Sequence, residues 1–560
     1  LWKKLVPAFD WLPNYNRSDF RGDLSAGLIV AIMLIPQGMA YAMLAGLDPV
    51  IGLYASTIPL IIYALFGTSR QLAVGPVAMV SLLVLSGVST LAEPGSSEYV
   101  SLVLLLMLMV GLIQLLLGVL KLGFLVNFLS HAVISGFTSA AAIIIGLSQL
   151  KDLTGVTYES GKSEVFLLIA EAVKRISEIN SITLAIGISS IVLLVLFKKY
   201  VKKVPGPIVV VTLSILTVYV FNLYEDGVSI VGQVPKGLPA LSFPTFTMDS
   251  IVALLPIAFT ITFVGFMESI AMAKAIAAKE KYKVNANQEL IGLGLANVGG
   301  SFFSAYPVTG GFSRSAVNYQ AGARTPLASI ITAVLIMLTL LFFTDLFYYL
   351  PKAVLAAIIM VAVYSLIDFH EAKKLFQLNR ADGWTWILTF LATLVLGIQT
   401  GILIGIVFSL LVYVGKNAYP HIAELGFVES RGVYKNKQRY PDAMDDPEVI
   451  IFRVDADLFF ANMSFVEDKL CNRLAEKPDT KYVIMDFSGV NSMDAVSIHS
   501  LEEMMQTCKQ HTQFLFAGIK GPVMDVLEKA SWDKKYHQMI HYITIEEAVK
   551  SLKNRVKNDG

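Results

Sequence analysis

From Ala26 to Val414 the chain is a succession of mostly apolar runs, many of them near the roughly 20 residues a helix needs to cross a bilayer. Residues 99–120, 182–197, 251–272, 327–343 and 384–396 are clear examples. Lipid offers backbone amides no water to bond, so such a chain is confined to bundles of helices. Of the 560 residues, 55% are hydrophobic and only 16% charged. The charge is concentrated after about residue 415, which predicts a membrane domain followed by a polar tail. A net charge of +1 leaves no electrostatic footprint for a nucleic-acid partner. Cys471 and Cys508 both fall in the tail, which fits a reducing compartment better than a disulfide framework. The opening residues LWKKLVPAFDWLPNYNRSDFRGDL lack the apolar core and cleavage site of a signal peptide, so the first span is expected to remain as an anchor.

Counting short Gly- and Pro-rich segments as half-spans gives about fourteen membrane segments. Lysine and arginine placement orients them. With a cytoplasmic N-terminal segment (residues 1–23), the inner loops hold Lys3, Lys4, Arg17, Arg21, Arg70, Lys121, Lys198, Lys199, Lys202, Lys203, Lys274, Lys279, Lys281, Lys283, Arg314, Arg324, Lys373, Lys374, Arg380 and Lys416. The outer loops hold only Lys151, Lys162, Lys174, Arg175, Lys236 and Lys352. An imbalance of roughly twenty to six predicts an even number of crossings and both termini in the cytoplasm. From Ser163 to Ile179, apolar residues recur at three- and four-residue spacing with charges opposite, as in an amphipathic helix lying on the outer surface.

Two segments are wrong for ordinary spans. In GTSRQLAVGPVAMVSLLVLSG (67–87), Gly75-Pro76 precedes an apolar run too short to cross, and in SAYPVTGGFSRSAVNY (304–319), Pro307, Gly310 and Gly311 do the same. Each is third in its half of the chain. Matching interruptions of this kind in an inverted repeat point to a transporter's central binding site. Glycines followed by proline in a first helical turn let a helix begin in mid-membrane, leaving N–H groups that only a cavity or ligand can satisfy. Two such starts supply roughly half a positive charge each, a setting for an anion. Arg314 adds a full charge; its bland alternative is to snorkel to the surface.

PQGMAYAMLAGLDPVIGLYAS (36–56), FGTSRQLAVGPVA (66–78), ESIAMAKAIAAKEKYKVNANQELIGLGLANVGGSFFSAYPVTGGFSRSAVN (268–318) and the polar tail together resemble the sulfate permease (SulP) anion-transporter family over nearly the whole chain. That resemblance implies an α-helical polytopic membrane protein: a seven-plus-seven inverted repeat, also seen in nucleobase transporters, followed by a cytoplasmic α/β STAS domain. It implies a transport domain over 24–417, with a core (24–122 and 250–346) that slides against a gate (123–222 and 347–417). The anion would lie between the starts of segments three and ten. Backbone donors would come from Val77 and Ala78 and from Phe312, Ser313, Arg314 and Ser315. Gln37 and Tyr41, one helical turn apart and so on one face, would line the same pocket.

Glu268 stands in the otherwise apolar run FVGFMESIAMA, and an intramembrane carboxylate is a functional-site candidate unless it merely pairs with Arg314. The resemblance links this position to cation coupling. Two helix starts and Arg314 sum to about +2, and ionised Glu268 lowers this to about +1. The ionised site suits a monovalent anion such as bicarbonate; sulfate calls for Glu268 to be protonated or matched by sodium. The expectation is proton-coupled sulfate uptake across the plasma membrane by a homodimer embedded in lipid. Sodium-coupled bicarbonate transport, proton-coupled dicarboxylate transport, and an exchanger or channel on the same scaffold are the alternatives. Arg314 and the tail disfavour nucleobase transport, and no cofactor, metal or enzymatic activity is expected.

After a linker (418–447), strand-like and helix-like stretches alternate through 448–560, as in an α/β unit. DFSGVNSMD resembles the hallmark loop of STAS domains. Val496, two positions after Asp494, occupies the site where signalling relatives carry a phosphorylatable serine, so dimer contact, folding support and regulation are the expected roles. Ser488, Ser492 and Ser497 read as turn and capping residues. His131 has no ligand partner at metal-binding spacing and reads as a packed or interfacial histidine. GFTSAAAIIIG supplies small residues for helix packing, and GLGLANVGGS is no dinucleotide fingerprint.

Overall fold

The computed structural model describes residues 6–124, 130–156, 165–201, 205–508 and 512–558. Lys3, Lys4, Lys162, Ser163, Lys202 and Lys203 lie outside the described residues. The chain forms two compact units, Leu1–Ser409 and Leu410–Gly560.

The first unit is helical. Among the described residues, eight helices are long and apolar enough to cross a membrane, and Ala78–Val88, Gly206–Phe221 and Leu327–Phe342 are shorter apolar helices. The segments fall into two sets of seven. Arg17–Leu44, Pro49–Phe66, Ala78–Val88, Ser97–Val119, His131–Thr154, Ser181–Tyr200 and Gly206–Phe221 form the first. Met248–Glu280, Ala286–Ser301, Phe312–Gln320, Leu327–Phe342, Lys352–Tyr364, Arg380–Leu396 and Ile398–Ala418 form the second. The segment expected to be amphipathic forms a helix over Val165–Lys174 followed by a short 3-10 turn, Ile176–Glu178.

Helix contacts divide the bundle. Ala286–Ser301 packs on Ser97–Val119 and Ile58–Phe66, Met248–Glu280 on Ser97–Val119 and Ala78–Val88, and Arg17–Leu44 takes Phe312–Gln320 and Leu327–Phe342. Elsewhere His131–Ser148 packs on Arg380–Leu396, and Ser181–Tyr200 on Lys352–Tyr364 and Gly206–Phe221. Lys352–Tyr364 and Gly206–Phe221 also touch Arg17–Leu44, which therefore borders both groups. Lipid gives helices no hydrophobic reason to associate, so close backbone approach has to supply dispersion contact. A Cβ at Gly294 would stand 2.9 Å from the Gly111 carbonyl oxygen, so larger residues would force the Ala286–Ser301 and Ser97–Val119 helices apart. Gly136, in the small-residue stretch, similarly abuts the Trp386 carbonyl.

Two buried carboxylates secure the loops that flank the interrupted segments. Glu289, wholly buried, accepts from Tyr63 Oη (2.6 Å), Thr68 N (2.6 Å), Thr68 Oγ1 (2.6 Å) and Ser69 N (3.0 Å). Asp23, also wholly buried, accepts from Arg324 N (2.7 Å), Thr325 N (3.0 Å) and Thr325 Oγ1 (2.6 Å). A buried carboxylate is tolerable only with its oxygens filled in this way.

Two short strands, β1 (Val74–Gly75) and β2 (Thr309–Gly310), lie in the first unit, and the second unit contains a five-stranded sheet. Its strands are β3 (Ile422–Val428), β4 (Val433–Asn436), β5 (Val449–Val454), β6 (Tyr482–Asp486) and β7 (Gln513–Ala517), in the order β4-β3-β5-β6-β7. β5, β6 and β7 are parallel, and β3 is antiparallel to both neighbours. Alternation sorts the side chains: Ile450, Phe452, Val483 and Met485 join one core with Val466 and Leu501, while Ile451 and Ile484 join another with Ala548 and Leu552. The stretch 418–447, expected to be a linker, instead supplies β3 and β4. Its charged and turn-forming residues conceal the inward placement of Ala423 and Leu425. In the hallmark loop Asp494 takes hydrogen bonds from the N–H and hydroxyl of Ser497, and Ser488 and Ser492 donate backbone N–H groups to Asp486 and Asp457. Aspartates therefore do the capping, and the serines are the capped residues.

Candidate functional site

Each interrupted segment passes through a two-residue strand. β1 (Val74–Gly75) pairs antiparallel with β2 (Thr309–Gly310), placing Val74 opposite Gly310 and Gly75 opposite Thr309. Gly311 N–H extends the ladder to the Ala73 carbonyl at 3.1 Å. Each break thus satisfies backbone groups that the other would otherwise leave bare inside the bundle. The prolines differ from expectation. Pro76 precedes the N-cap Val77, and Pro307 lies upstream of β2, so neither occupies a first helical turn. Lacking an N–H, each fits the ladder's margin instead.

The half-helices Ala78–Val88 and Phe312–Gln320 begin at Val77 and Gly311, and neither start has a side-chain cap. The leading N–H groups, of Ala78 to Val80 and Phe312 to Arg314, have no intrahelical acceptors. A Cβ on Gly311 would stand 3.3 Å from Val77 Cγ1, so the two helix starts adjoin.

Arg314 locks this junction. It is 2% exposed, which excludes snorkelling. Its Nε and Nη2 donate to the Ala73 carbonyl at 3.2 Å each, and Nη1 donates to the Pro76 carbonyl at 2.9 Å. A side chain from the second break therefore grips the backbone of the first. The guanidinium lies against two glycines: a Cβ at Gly75 (φ +149°) would meet Nη2 at 3.2 Å, and one at Gly311 would meet it at 2.9 Å. Among the described residues no carboxylate comes within 4.0 Å of the guanidinium, so the structural ion pair with Glu268 does not form. One N–H on each terminal nitrogen remains unused.

Glu268, on Met248–Glu280, is half-buried, and its carboxylate lies in the field of the Phe312 backbone N–H. Arg314 interacts electrostatically with Glu268, Tyr41 and Tyr306. Gln37 and Tyr41, on Arg17–Leu44, are 7% and 6% exposed, yet neither side chain has a hydrogen-bond partner among the described residues. Val77 and Ala78 are buried, whereas Phe312 and Ser313 are open. Ser315 is framework: its hydroxyl accepts from Ala73 N at 2.9 Å and its own N–H goes to the Gly311 carbonyl.

Several residues that hold the site went unread in the sequence. Ser269 Oγ accepts from Gly310 N at 2.8 Å and shares a 2.6 Å hydrogen bond with Thr309 Oγ1. Asn297 binds both the N–H and the carbonyl of Val308, at 2.9 and 3.1 Å, and donates to Gln114 at 3.0 Å. Tyr306 Oη meets Ser81 Oγ at 3.0 Å. Asn297 and Gln114, amides within apolar runs, carried the same kind of signal as Gln37. His131 is exposed, with Nε2 3.4 Å from Glu371, and the described residues contain no metal-binding group of three ligating side chains.

Two seven-segment halves whose third members meet as paired half-helix starts define a multi-pass membrane transporter rather than an enzyme. The pattern of the Sulfate permease family matches residues 20–389 and that of the STAS domain residues 440–551; the chain belongs to the sulfate permease family. Sulfate transporter 4.1, chloroplastic, of Arabidopsis thaliana is 40% identical, covering 93% of this chain and 78% of the relative. Sulfate transporter 1.2 of the same plant is 35% identical over 100% of this chain and 89% of its own length. The solved structure of murine Slc26a9, an anion transporter in the inward-facing state, is similar with a TM-score of 0.91 and 27% identity, covering 98% of this chain and 94% of that one. The transmembrane domain of the cyanobacterium bicarbonate transporter BicA shares the fold, with a TM-score of 0.62 and 23% identity over 70% of this chain and 98% of its own.

Proposed function

We propose that this protein is a secondary active anion transporter that takes up sulfate with a proton across the plasma membrane, as a homodimer with both termini cytoplasmic. The observation that carries the reading is the junction itself: two uncapped helix starts adjoin around a buried arginine with unused donors, beside the unpartnered Gln37 and Tyr41. The exposed N–H groups and the guanidinium bind the anion's oxygens, and Gln37 and Tyr41 complete its shell. Glu268, beside the first N–H of the second half-helix, carries the coupled proton. Protonated, it leaves about +2 for a dianion. The relatives named as sulfate transporters support sulfate over other anions.

The division of helix contacts supports movement of 24–122 and 250–346 as a core against 123–222 and 347–417 as a gate. The binding residues all belong to the core, so the anion travels with it. Half-burial of Glu268 favours a second reading, in which the ionised carboxylate leaves about +1 for bicarbonate accompanied by sodium. Uptake of labelled sulfate and bicarbonate into proteoliposomes, under imposed proton and sodium gradients, tests both. Proton-driven, saturable sulfate uptake that Arg314→Ala abolishes supports the first; sodium-driven bicarbonate uptake without sulfate transport supports the second.

A further inference from the structure

Away from the junction, a cavity of ≈ 1530 Å³ opens among the ends of the Ser97–Val119 and Met248–Glu280 helices, the start of Ala286–Ser301, and the loops at 67–71 and 320–326. None of Gln37, Tyr41, Glu268 or Arg314 lines it. Its cations include Arg70, Lys121 and Lys283. Arg70 lies 5.0 Å over the Tyr282 ring, and none of the three has an acidic partner among the described residues. The acids of the lining are already engaged: Asp19 with Arg324, Glu280 with the Tyr319 hydroxyl, and Asp10 with a partner of its own. Trp11 also borders the cavity. Lys121 holds a left-handed backbone, φ 59°, that a non-glycine residue adopts at a cost.

Three cations without acidic partners around one cavity favour a ligand rich in acceptor oxygens. The volume exceeds the roughly 300–1,000 Å³ usual for small-molecule sites, far more room than one tetrahedral ion fills. We propose that this cavity binds a phosphate ester of two or more negative charges, a soluble phosphate or a phospholipid headgroup, and thereby ties together the helix ends around it. Arg70 and the two lysines pair with the phosphate oxygens, and the Tyr282 and Trp11 rings wall the organic part. Topology alone would also collect lysine and arginine on one side of a membrane, but it does not require that they line one cavity.

The test is thermal unfolding of the purified full-length protein in neutral detergent, titrated separately with pyrophosphate, dioctanoyl phosphatidylinositol 4,5-bisphosphate and dioctanoyl phosphatidylcholine. The first two should raise the melting temperature saturably and the third should not. A response to the phosphoinositide alone assigns the site to a lipid headgroup; a response to pyrophosphate as well assigns it to phosphate from either source. In Lys121→Asn/Lys283→Gln, where asparagine tolerates the left-handed backbone, the half-saturating concentration should rise about tenfold or more for each cation removed. If that variant does not elute as a folded protein, Arg70→Gln takes its place. No saturable shift with either phosphate, or equal responses from variant and native protein, overturns the proposal.

Discussion

Arg314 fastens one break to the other, and in the proposed mechanism it also charges the pocket; substitution can separate the two roles. Arg314→Lys keeps the charge but replaces a planar fork with a compact ammonium that cannot reproduce the bonds to both Ala73 and Pro76. At least one charge-assisted hydrogen bond is lost, worth about 1.5–3 kcal/mol. The Ala73 carbonyl still receives the Gly311 N–H, so Pro76 is the carbonyl left bare. Arg314→Gln removes the charge. With an anion about 5 Å away and an effective dielectric of about 20, that interaction amounts to about 3 kcal/mol per anion charge, or about a hundredfold in affinity. Initial rates of labelled sulfate uptake into proteoliposomes, with melting curves on the same preparations, distinguish the two effects. The lysine variant should melt lower yet keep its KM within about tenfold of native, while the glutamine variant should raise KM at least about a hundredfold. Equal KM values for the two variants would refute the assignment of an electrostatic role to the guanidinium.

Gly311→Ala would place a Cβ 2.9 Å from Nη2 and displace the guanidinium, so uptake should fall by about tenfold or more while the protein still elutes as a folded species. Glu268→Gln removes the proposed proton carrier: native sulfate uptake should rise as the external pH falls, and the variant's uptake should be flat over the same range. Glu289→Ala leaves the Tyr63 hydroxyl, both donors of Thr68 and the Ser69 N–H without their acceptor. It should cost about 3–5 kcal/mol, read as a lower melting temperature and poor yield, with Glu289→Gln milder.

Much of the membrane architecture is legible in the sequence because lipid imposes a simple demand: long apolar runs must be helices. The interruptions were legible for the same reason, since Gly75-Pro76 and Gly310-Gly311 cannot belong to ordinary spans. The β1–β2 pairing was not, because a two-residue strand has no periodicity and its partner lies 235 positions away. The acceptors of Arg314 escaped notice because they are backbone carbonyls, which any sequence supplies. Glu289 gave no such signal, because polar residues precede it in NANQELIG and an acid in a first helical turn is ordinary; only the fold reveals the four donors that fill it. β3 and β4 were hidden by Glu424 and Lys435, charged residues that a local reading assigns to a linker; Glu424 is tolerated within the sheet because Lys437 and Arg473 pair with it.

Selenate offers the most direct examination of the paired helix starts, since it is nearly isosteric with sulfate and marks its own position by anomalous scattering. A selenate-soaked structure should show a single anomalous peak within hydrogen-bonding reach of the Ala78 and Ser313 backbone N–H groups and the free N–H groups of Arg314, lost in Arg314→Gln. A peak elsewhere in the membrane domain, or an unchanged peak in that variant, would contradict the account.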